Sequence, residues 1–304
     1  MSKKIVVVGS INMDLAINAP RIPSIGETIL GNGFMTAPGG KGANQAVAAA
    51  RLGGEVSMIG CVGGDVFGQS LLDSLSGNNV DISRIHTDES ISTGVAVVVI
   101  NAGNNCIIVD PGANSSLTPE MIEAAEDIIK ESCIVVIQLE IPLETVEKTV
   151  SIARKHGVKV LLNPAPAKEL SDELLSNVDI LTPNESECEF LAGVKIKCIE
   201  DAKRAVELLN KKGVAQVIIT LGGNGVVYNS CSNGILHKTV PEVKVLDTTA
   251  AGDSFSGAVA LAIAQGKNID AAVDFGNIVG SLTVTKKGAQ TSLPTLAEYL
   301  NFLK

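Results

Sequence analysis

The sequence contains no tryptophan, two tyrosines and six phenylalanines, so only 3% of its 304 residues are aromatic. A core for a chain of this length must then be assembled from Val, Ile, Leu and Ala, the materials of buried parallel strands and closely packed helices. Basic residues are in deficit, with 24 Lys and Arg facing 33 Asp and Glu for a formal charge of −9. That balance supplies no basic stripe for a phosphate backbone, and nucleic acid is not expected as a partner. Long apolar runs are missing too. Val95–Ile100 is among the longest, far short of the roughly 18 residues that a membrane span needs, so no membrane partner is expected. Met1-Ser2-Lys3-Lys4 leads directly into Ile5-Val6-Val7-Val8, which is not the pattern of a signal peptide. The six cysteines show no C-x-x-C spacing and the three histidines are scattered. Reduced thiols in a cytoplasmic protein are the expectation. Two nucleotide signatures are absent as well: the G-x-x-x-x-G-K-[ST] loop, and a G-x-G-x-x-G after the first strand. The second absence removes the fingerprint of an NAD-dependent oxidoreductase.

What is present is 45% hydrophobic residues and 30 glycines in a regular alternation. Ile5–Gly9 reads as a buried strand, Ala43–Leu52 as an Ala-rich helix, Val56–Cys61 as a strand and Val66–Leu75 as a helix. Leu15–Ala19 and Glu27–Ala37, broken by Pro20 and Pro23, read as short strands. Val95–Ile100 and Cys106–Val109 flank Asn101–Asn105 as a hairpin. From Thr118 onward, helices at Pro119–Glu131, Leu143–His156, Glu185–Leu191 and Glu200–Lys212 alternate with strands at Cys133–Gln138, Val158–Leu162, Val178–Leu181 and Val214–Leu221. Short strands at Gly225–Asn229 and Ile235–Val240 precede the helices Gly252–Gln265 and Ile269–Thr285. This pattern implies βαβ crossovers, a parallel sheet covered on both faces, and a small sheet built from two separated segments. Ligands of such a sheet sit beyond the carboxyl ends of its strands.

Four loops there carry polar chemistry. Asn12 and Asp14 lie two apart after the first strand and, in extended chain, project from one side; they suit vicinal hydroxyls or merely end a strand. Pro38-Gly39-Gly40-Lys41-Gly42-Ala43-Asn44-Gln45 opens a helix, where glycines allow close backbone approach and the helix start favours oxygens. Thr182-Pro183-Asn184-Glu185-Ser186-Glu187 reads equally as a capping box and as a pair ordering water around Mg²⁺. Asp247-Thr248-Thr249-Ala250-Ala251-Gly252-Asp253 places small residues before a long helix. That run makes a nest of backbone N–H groups suited to a phosphoryl group, with Asp253 able to take a proton from an attacking hydroxyl.

Together with Asn163-Pro164-Ala165-Pro166-Ala167 and Lys287-Gly288-Ala289-Gln290, these segments strongly resemble the ribokinase family of carbohydrate kinases over nearly the whole chain. Gly39–Asn44 and Ala251-Gly252-Asp253 match the family's two signatures in order and separation. The resemblance implies one α/β domain over residues 1–304: a three-layer α/β/α fold with a mostly parallel central sheet, and a small β-sheet lid from about 12–37 and 94–110. It implies ATP-dependent phosphorylation of D-ribose at O5. Asp253 would be the general base and Ala250, Ala251 and Gly252 the anion hole. Asn12, Asp14, Gly40, Lys41, Gly42, Asn44 and Glu140 would hold the sugar. Asn184, Thr220, Leu221, Gly222, Gly223, Asn224, Gly225, Gly252 and Asn277 would line the ATP site. Glu187 would reach Mg²⁺ through water; Asp247, Thr249, Thr283, Lys286, Gly288 and Ser292 would surround K⁺. A homodimer through the lid is expected. Many members carry Gly where Ala250 stands here. The alternatives are 2-deoxyribose, which Met13 beside Asp14 could favour, another sugar or a nucleoside as acceptor, and a non-catalytic sensor on the same fold.

Overall fold

A computed structural model describes residues 3–101, 104–230 and 232–304. The first half contributes β1 (Lys4–Val8), β2 (Asn12–Asn18), β3 (Asn32–Gly39), α1 (Lys41–Arg51), β4 (Glu55–Gly63), α2 (Val66–Gly77), β5 (Val80–Asp88), β6 (Gly94–Asn101) and β7 (Asn104–Asp110). Then follow α3 (Pro119–Ala124), α4 (Glu126–Glu131), β8 (Ile134–Ile137), α5 (Leu143–Lys155), β9 (Lys159–Leu162), α6 (Asp172–Ser176), β10 (Ile180–Leu181), α7 (Glu185–Ala192) and α8 (Ile199–Lys211). The chain closes with β11 (Gln216–Thr220), β12 (Val226–Ser230), β13 (Gly234–Lys238), α9 (Ala251–Ala264), α10 (Ile269–Thr283) and α11 (Leu296–Phe302).

Nine strands form one sheet in the order β13-β12-β11-β10-β9-β8-β1-β4-β5. Only β12 and β13 run antiparallel to their neighbours. Inside the sheet, third from the β5 edge, β1 pairs in parallel with β4 and β8. Its side chains divide as a two-sided strand requires. Ile5 and Val7 enter one buried cluster with Val47, Val259 and Val273 from α1, α9 and α10. Val6 and Val8 enter the other with Ile129, Val150 and Val206 from α4, α5 and α8. Two apolar layers of helices therefore enclose the sheet, giving the expected three-layer fold. Leaving β1, the chain next adds strands on the β4 side and later on the β8 side. The loops after β1 and β8 thus diverge, opening the crevice where this class of sheet binds ligands.

A second sheet has the order β3-β2-β6-β7, with β2 and β6 parallel and the two outer pairs antiparallel. It joins the segments read as short strands to the hairpin; the Ala102-Gly103 part of the hairpin turn lies outside the described residues. Three elements escape the sequence pattern. The strand β5 was not expected, because an edge position leaves it half-exposed and charged side chains interrupt its alternation. The short helices α6 and α11 were not expected either. The single helix expected over Pro119–Glu131 is two, broken at Ala125 (φ −104°, ψ 12°), where the Ala125 N–H bonds Ile122 O at 3.1 Å in a tightened last turn. Among the described residues, no helix is long and apolar enough to cross a membrane.

Candidate active site

The glycines of the helix-opening loop act by proximity. A Cβ on Gly42 would stand 2.7 Å from the backbone of Gly9 and Ser10, so only glycine lets the start of α1 rest on the loop after β1. Gly40 has φ +88° and its missing Cβ would strike the Asn12 backbone nitrogen at 2.7 Å. Both positions need glycine, one for space and one for conformation as well. The contact brings Lys41 to the loop after β8: the Lys41 backbone N–H donates to Glu140 Oε2 at 3.2 Å, and Lys41 Nζ lies 4.0 Å from Glu140 Oε1. Ser10 Oγ donates to Glu140 Oε2 at 2.5 Å.

Asn12 is buried at the root of β2, its Oδ1 accepting from Asn114 Nδ2 at 2.6 Å. Asp14 follows two residues later on the same face of the strand. Met13, between them, is 3% exposed and packs into the core on the other face, so it does not line the corner that Asp14 occupies. Burial, helped by the charges of Glu140 and Asp253, pushes the Asp14 carboxyl up to about 7. Burial works to lower the Lys41 ammonium, but Asp253, Glu140, Glu187 and Asp14 outweigh it and leave it raised. One cation thus sits among four carboxylates drawn from β2, the loop after β8, the start of α7 and the start of α9.

Asp253 lies in the first turn of α9, against the start of α1. Its Oδ2 accepts from Asn44 Nδ2 at 2.9 Å and its Oδ1 from Gln45 Nε2 at 3.2 Å. Burial pushes this carboxyl up, opposed by the Lys41 charge and by those two hydrogen bonds. Ahead of it, Ala250 adopts the left-handed conformation (φ 60°, ψ 10°) as the residue that starts α9. The Ala251 N–H closes a turn onto Thr248 O at 3.3 Å, and the first bond within the helix runs from Ser254 N to Ala250 O at 2.8 Å. The N–H groups of Gly252 and Asp253 are therefore the donors that the helix start leaves over. A Cβ on Gly252 would meet nothing within 4 Å; glycine there keeps open space in front of those donors.

Some of the expected nucleotide residues are joined to one another. Asn184 forms a bridge with Thr220 at the end of β11, and a 3-10 turn spans Gly222–Asn224. Leu221 N–H donates to Gly225 O at 2.8 Å. Gly222 and Gly223 face open space, while Asn277 is buried on α10. The capping box expected from Asn184 and Glu187 is complete. Asn184 Oδ1 accepts from Glu187 N at 2.9 Å, and Glu187 Oε2 accepts from Asn184 N at 2.9 Å. Burial raises the Glu187 carboxyl, with the Asn184 backbone and Lys41 pulling it down. Asp247 ties two loops together, accepting from Thr249 N and Oγ1 at 3.0 and 2.7 Å and from Gly288 N at 2.9 Å. These bonds hold its carboxyl below the usual range despite burial. Thr283 Oγ1 donates to Ser254 Oγ at 2.8 Å, Ser292 Oγ to Ala289 O at 2.7 Å, and the Lys286 ammonium pairs with Glu298.

Sequence reasoning gave no role to Gln45, Gln138, Ser10 or Asn114, although the structure joins Gln45, Ser10 and Asn114 to site residues and Gln138 to Gln45. Their partners are dozens to hundreds of residues away, so no local spacing marks them.

A buried carboxylate at a helix start, facing a lysine, three further carboxylates and a glycine-lined opening, is a site for transferring charge onto a polyol. Comparison with known proteins agrees. Residues 2–296 match the pfkB family carbohydrate kinase. The chain is 44% identical over 305 residues to a ribokinase of Haemophilus influenzae, covering 100% of this chain and 99% of that protein. It is 35% identical over 301 residues to a deoxyribokinase of Salmonella typhi, covering 98% of each. The structure of an Arabidopsis thaliana ribokinase complexed with ribose and ATP superposes with a TM-score of 0.93 at 35% identity, over 100% of this chain and 99% of that one. With a match of this extent, and with both signature loops meeting at Asp253, the chain belongs to the pfkB family of carbohydrate kinases.

Proposed function

We propose that the protein transfers the γ-phosphoryl group of ATP to O5 of D-ribose. The observation that carries this reading is the setting of Asp253: buried, held on both oxygens by amides from α1, and next to the open N–H groups of α9. Asn12, Asp14, Lys41, Asn44 and Glu140 bind the sugar and orient its 5-hydroxyl toward Asp253. Asp253 takes the hydroxyl proton as the oxygen attacks, and the Gly252 and Asp253 N–H groups, with Ala250 and Ala251 shaping the loop, stabilise the charge on the phosphoryl oxygens. Asn184, Thr220–Gly225 and Asn277 hold the nucleotide. Asp14 accepting from two adjacent hydroxyls favours ribose over 2-deoxyribose, since removing one hydroxyl leaves a buried acceptor unpaired.

Among the described residues there is no group of three or more metal-ligating side chains. That suits Mg²⁺, which keeps most of its waters and binds chiefly through substrate phosphates. Glu187, buried and facing Lys41, would hold those waters; the ion would neutralise charge on the phosphates. Asp247, the carboxylate that joins its loop to Gly288, would with Thr249, Thr283, Lys286, Gly288 and Ser292 offer the hard oxygens that K⁺ takes. Order in that loop passes directly to Ala250–Asp253. The four-stranded sheet acts as a lid and pairs two copies of the chain: Phe34 (65% exposed), Met35, Ile107 and Ile108 (69% exposed) leave it apolar and uncovered, a state that edge strands avoid unless they are met by another chain.

The test is ADP release from Mg-ATP with ribose, 2-deoxyribose, fructose or adenosine, with K⁺ or a large organic cation. Ribose should be the best acceptor and K⁺ should raise its turnover. A better rate with 2-deoxyribose would move the error to Asp14 and its neighbours. No turnover with any acceptor would favour the sensor.

A further inference from the structure

Behind Asp253, on the side away from the cleft, lies a buried run of side-chain amides. Gln45 is fully buried, and its Nε2 donates both to Asp253 Oδ1 at 3.2 Å and to Asn163 Oδ1 at 3.1 Å. Its Oε1 accepts from Gln138 Nε2 at 2.6 Å. Asn163 Nδ2 in turn donates to the Thr182 backbone carbonyl at 2.8 Å. The polarity of this run follows from its end. A backbone carbonyl only accepts, so Asn163 must give it the NH₂ group and present its oxygen to Gln45. Gln45 must then present its NH₂ group to Asn163 and Asp253, and its oxygen to Gln138. Turning the Gln45 amide over would set oxygen against oxygen at two buried contacts, with Asn163 Oδ1 and Asp253 Oδ1, each costly to leave unmade. Gln138, whose Oε1 has no hydrogen-bond partner among the described residues, is free to turn with it and does not decide the orientation.

Asn44, which holds the other carboxylate oxygen, has no such commitment. Its Nδ2 bonds Asp253 Oδ2, while its Oδ1 is buried without a hydrogen-bond partner among the described residues. The two oxygens of Asp253 therefore differ. One faces a donor that cannot become an acceptor; the other faces an amide free to turn over and accept.

We propose that Gln45 is a positioning residue that keeps Asp253 Oδ1 as a permanent acceptor, making Oδ2 the oxygen that takes the hydroxyl proton. The inference rests on Asp253 being the base. In the step itself, the sugar O–H bond breaks and its proton goes to Oδ2. The sugar oxygen bonds the γ-phosphorus, and the bond from that phosphorus to the β-phosphate bridging oxygen breaks, its electron pair leaving with ADP. Asn44 then turns its oxygen toward the new O–H.

Gln45→Met keeps the volume and removes the donor. At saturating ribose and Mg-ATP, kcat should fall roughly tenfold to a hundredfold, the range a small misplacement of a reacting group costs. KM for both substrates should stay within about twofold. The acid limb of kcat against pH should move upward, because a carboxylate that loses an N–H donor is easier to protonate. Asp14, Lys41, Glu140 and Glu187, the other titratable groups facing Asp253, are unchanged in this variant. Gln138→Met frees one end of the run and should shift kcat and the acid limb the same way, by roughly threefold in kcat. Ribose titration by calorimetry reports whether each variant is folded; if Gln45→Met is not, Gln138→Met carries the test. An acid limb that stays in place, or a kcat within twofold of the parent for Gln45→Met, would overturn the proposal. Asp253→Asn measured alongside separates the two readings: if it is inactive while Gln45→Met is normal, only the positioning role fails. If Asp253→Asn retains full turnover, the base assignment fails and the positioning role falls with it.

Discussion

The two sheets of this molecule meet opposite fates. In the nine-stranded sheet, Ile5, Val6, Val7 and Val8 of β1 are all within 1% of complete burial, alternating between two helix-covered clusters. In the four-stranded sheet, the cross-strand rows Met35–Ala16–Val98–Ile107 and Thr36–Leu15–Val97–Ile108 leave Met35, Val97, Ile107 and Ile108 as apolar side chains that solvent reaches. The first sheet is finished within one chain, and its loops hold the Asp253 carboxylate through hydrogen bonds to both oxygens. The second leaves apolar side chains open to solvent. On the proposed reading, chemistry belongs on the finished sheet, and capture and association on the unfinished one.

That division is broken most severely at Asp253. Asp253→Asn keeps the shape and removes the proposed base, so kcat should fall by about 10²–10⁴, with ribose and ATP affinities by calorimetry nearly unchanged. A variant retaining a tenth of the parent rate would refute the assignment. On the unfinished sheet, Ile108→Asp puts a charge where a second copy is proposed to dock. Sedimentation should show the parent as a dimer and the variant as a monomer, with the dimer dissociation constant raised at least ~30-fold, the equivalent of about 2 kcal/mol for a buried charge at an interface. A monomeric parent would end the idea that this face is covered by its own copy.

The loop ends of the large sheet were legible because each function there needs unusual residues in a short stretch. Gly40, Gly42, Gly252 and Asp253 are conspicuous in sequence, and the structure gives each a steric or electrostatic reason. What joins them was not legible. Asn44 and Asp253 are 209 residues apart, and Gln45 to Asn163 spans 118. In the sequence Gln45 is one polar residue in an Ala-rich helix; only the tertiary arrangement shows that its amide has one allowed orientation. The strand β5 was missed for a related reason, since an edge strand with one wet side carries no continuous apolar run. The break at Ala125 leaves no Gly or Pro to mark it.

Asp14 stands where the two sheets meet, and its carboxyl near 7 gives a graded test. Below that pH the Asp14 carboxyl of the empty site is protonated and accepts sugar hydroxyls poorly, so kcat/KM for ribose should fall toward tenfold per pH unit, with kcat less affected. Stability has the opposite sign. Between about 4 and 7 the folded protein holds a proton that the unfolded chain has released, so the empty protein gains stability as pH falls through 7. Asp14→Asn should flatten that dependence and raise the melting temperature at pH 8 while impairing ribose binding. An unchanged melting curve at pH 8 would show that the carboxylate is better solvated than its surroundings indicate.

The smallest effect is expected at Ala250, and it is informative for that reason. An L-residue at φ 60° costs about 1–2 kcal/mol, which glycine would relieve. Glycine also enlarges the unfolded ensemble, a penalty of about 0.4–1 kcal/mol. Ala250→Gly should therefore change stability by less than about 1.5 kcal/mol, in the stabilising direction, and leave kcat within twofold because the loop acts through its backbone. Chemical denaturation and ADP release would check both. A tenfold loss of kcat would mean that the Ala250 methyl group, which packs against the same core that holds β1, keeps the nest rigid. The rigidity of the finished sheet would then extend one residue further, into the loop proposed to meet the phosphate.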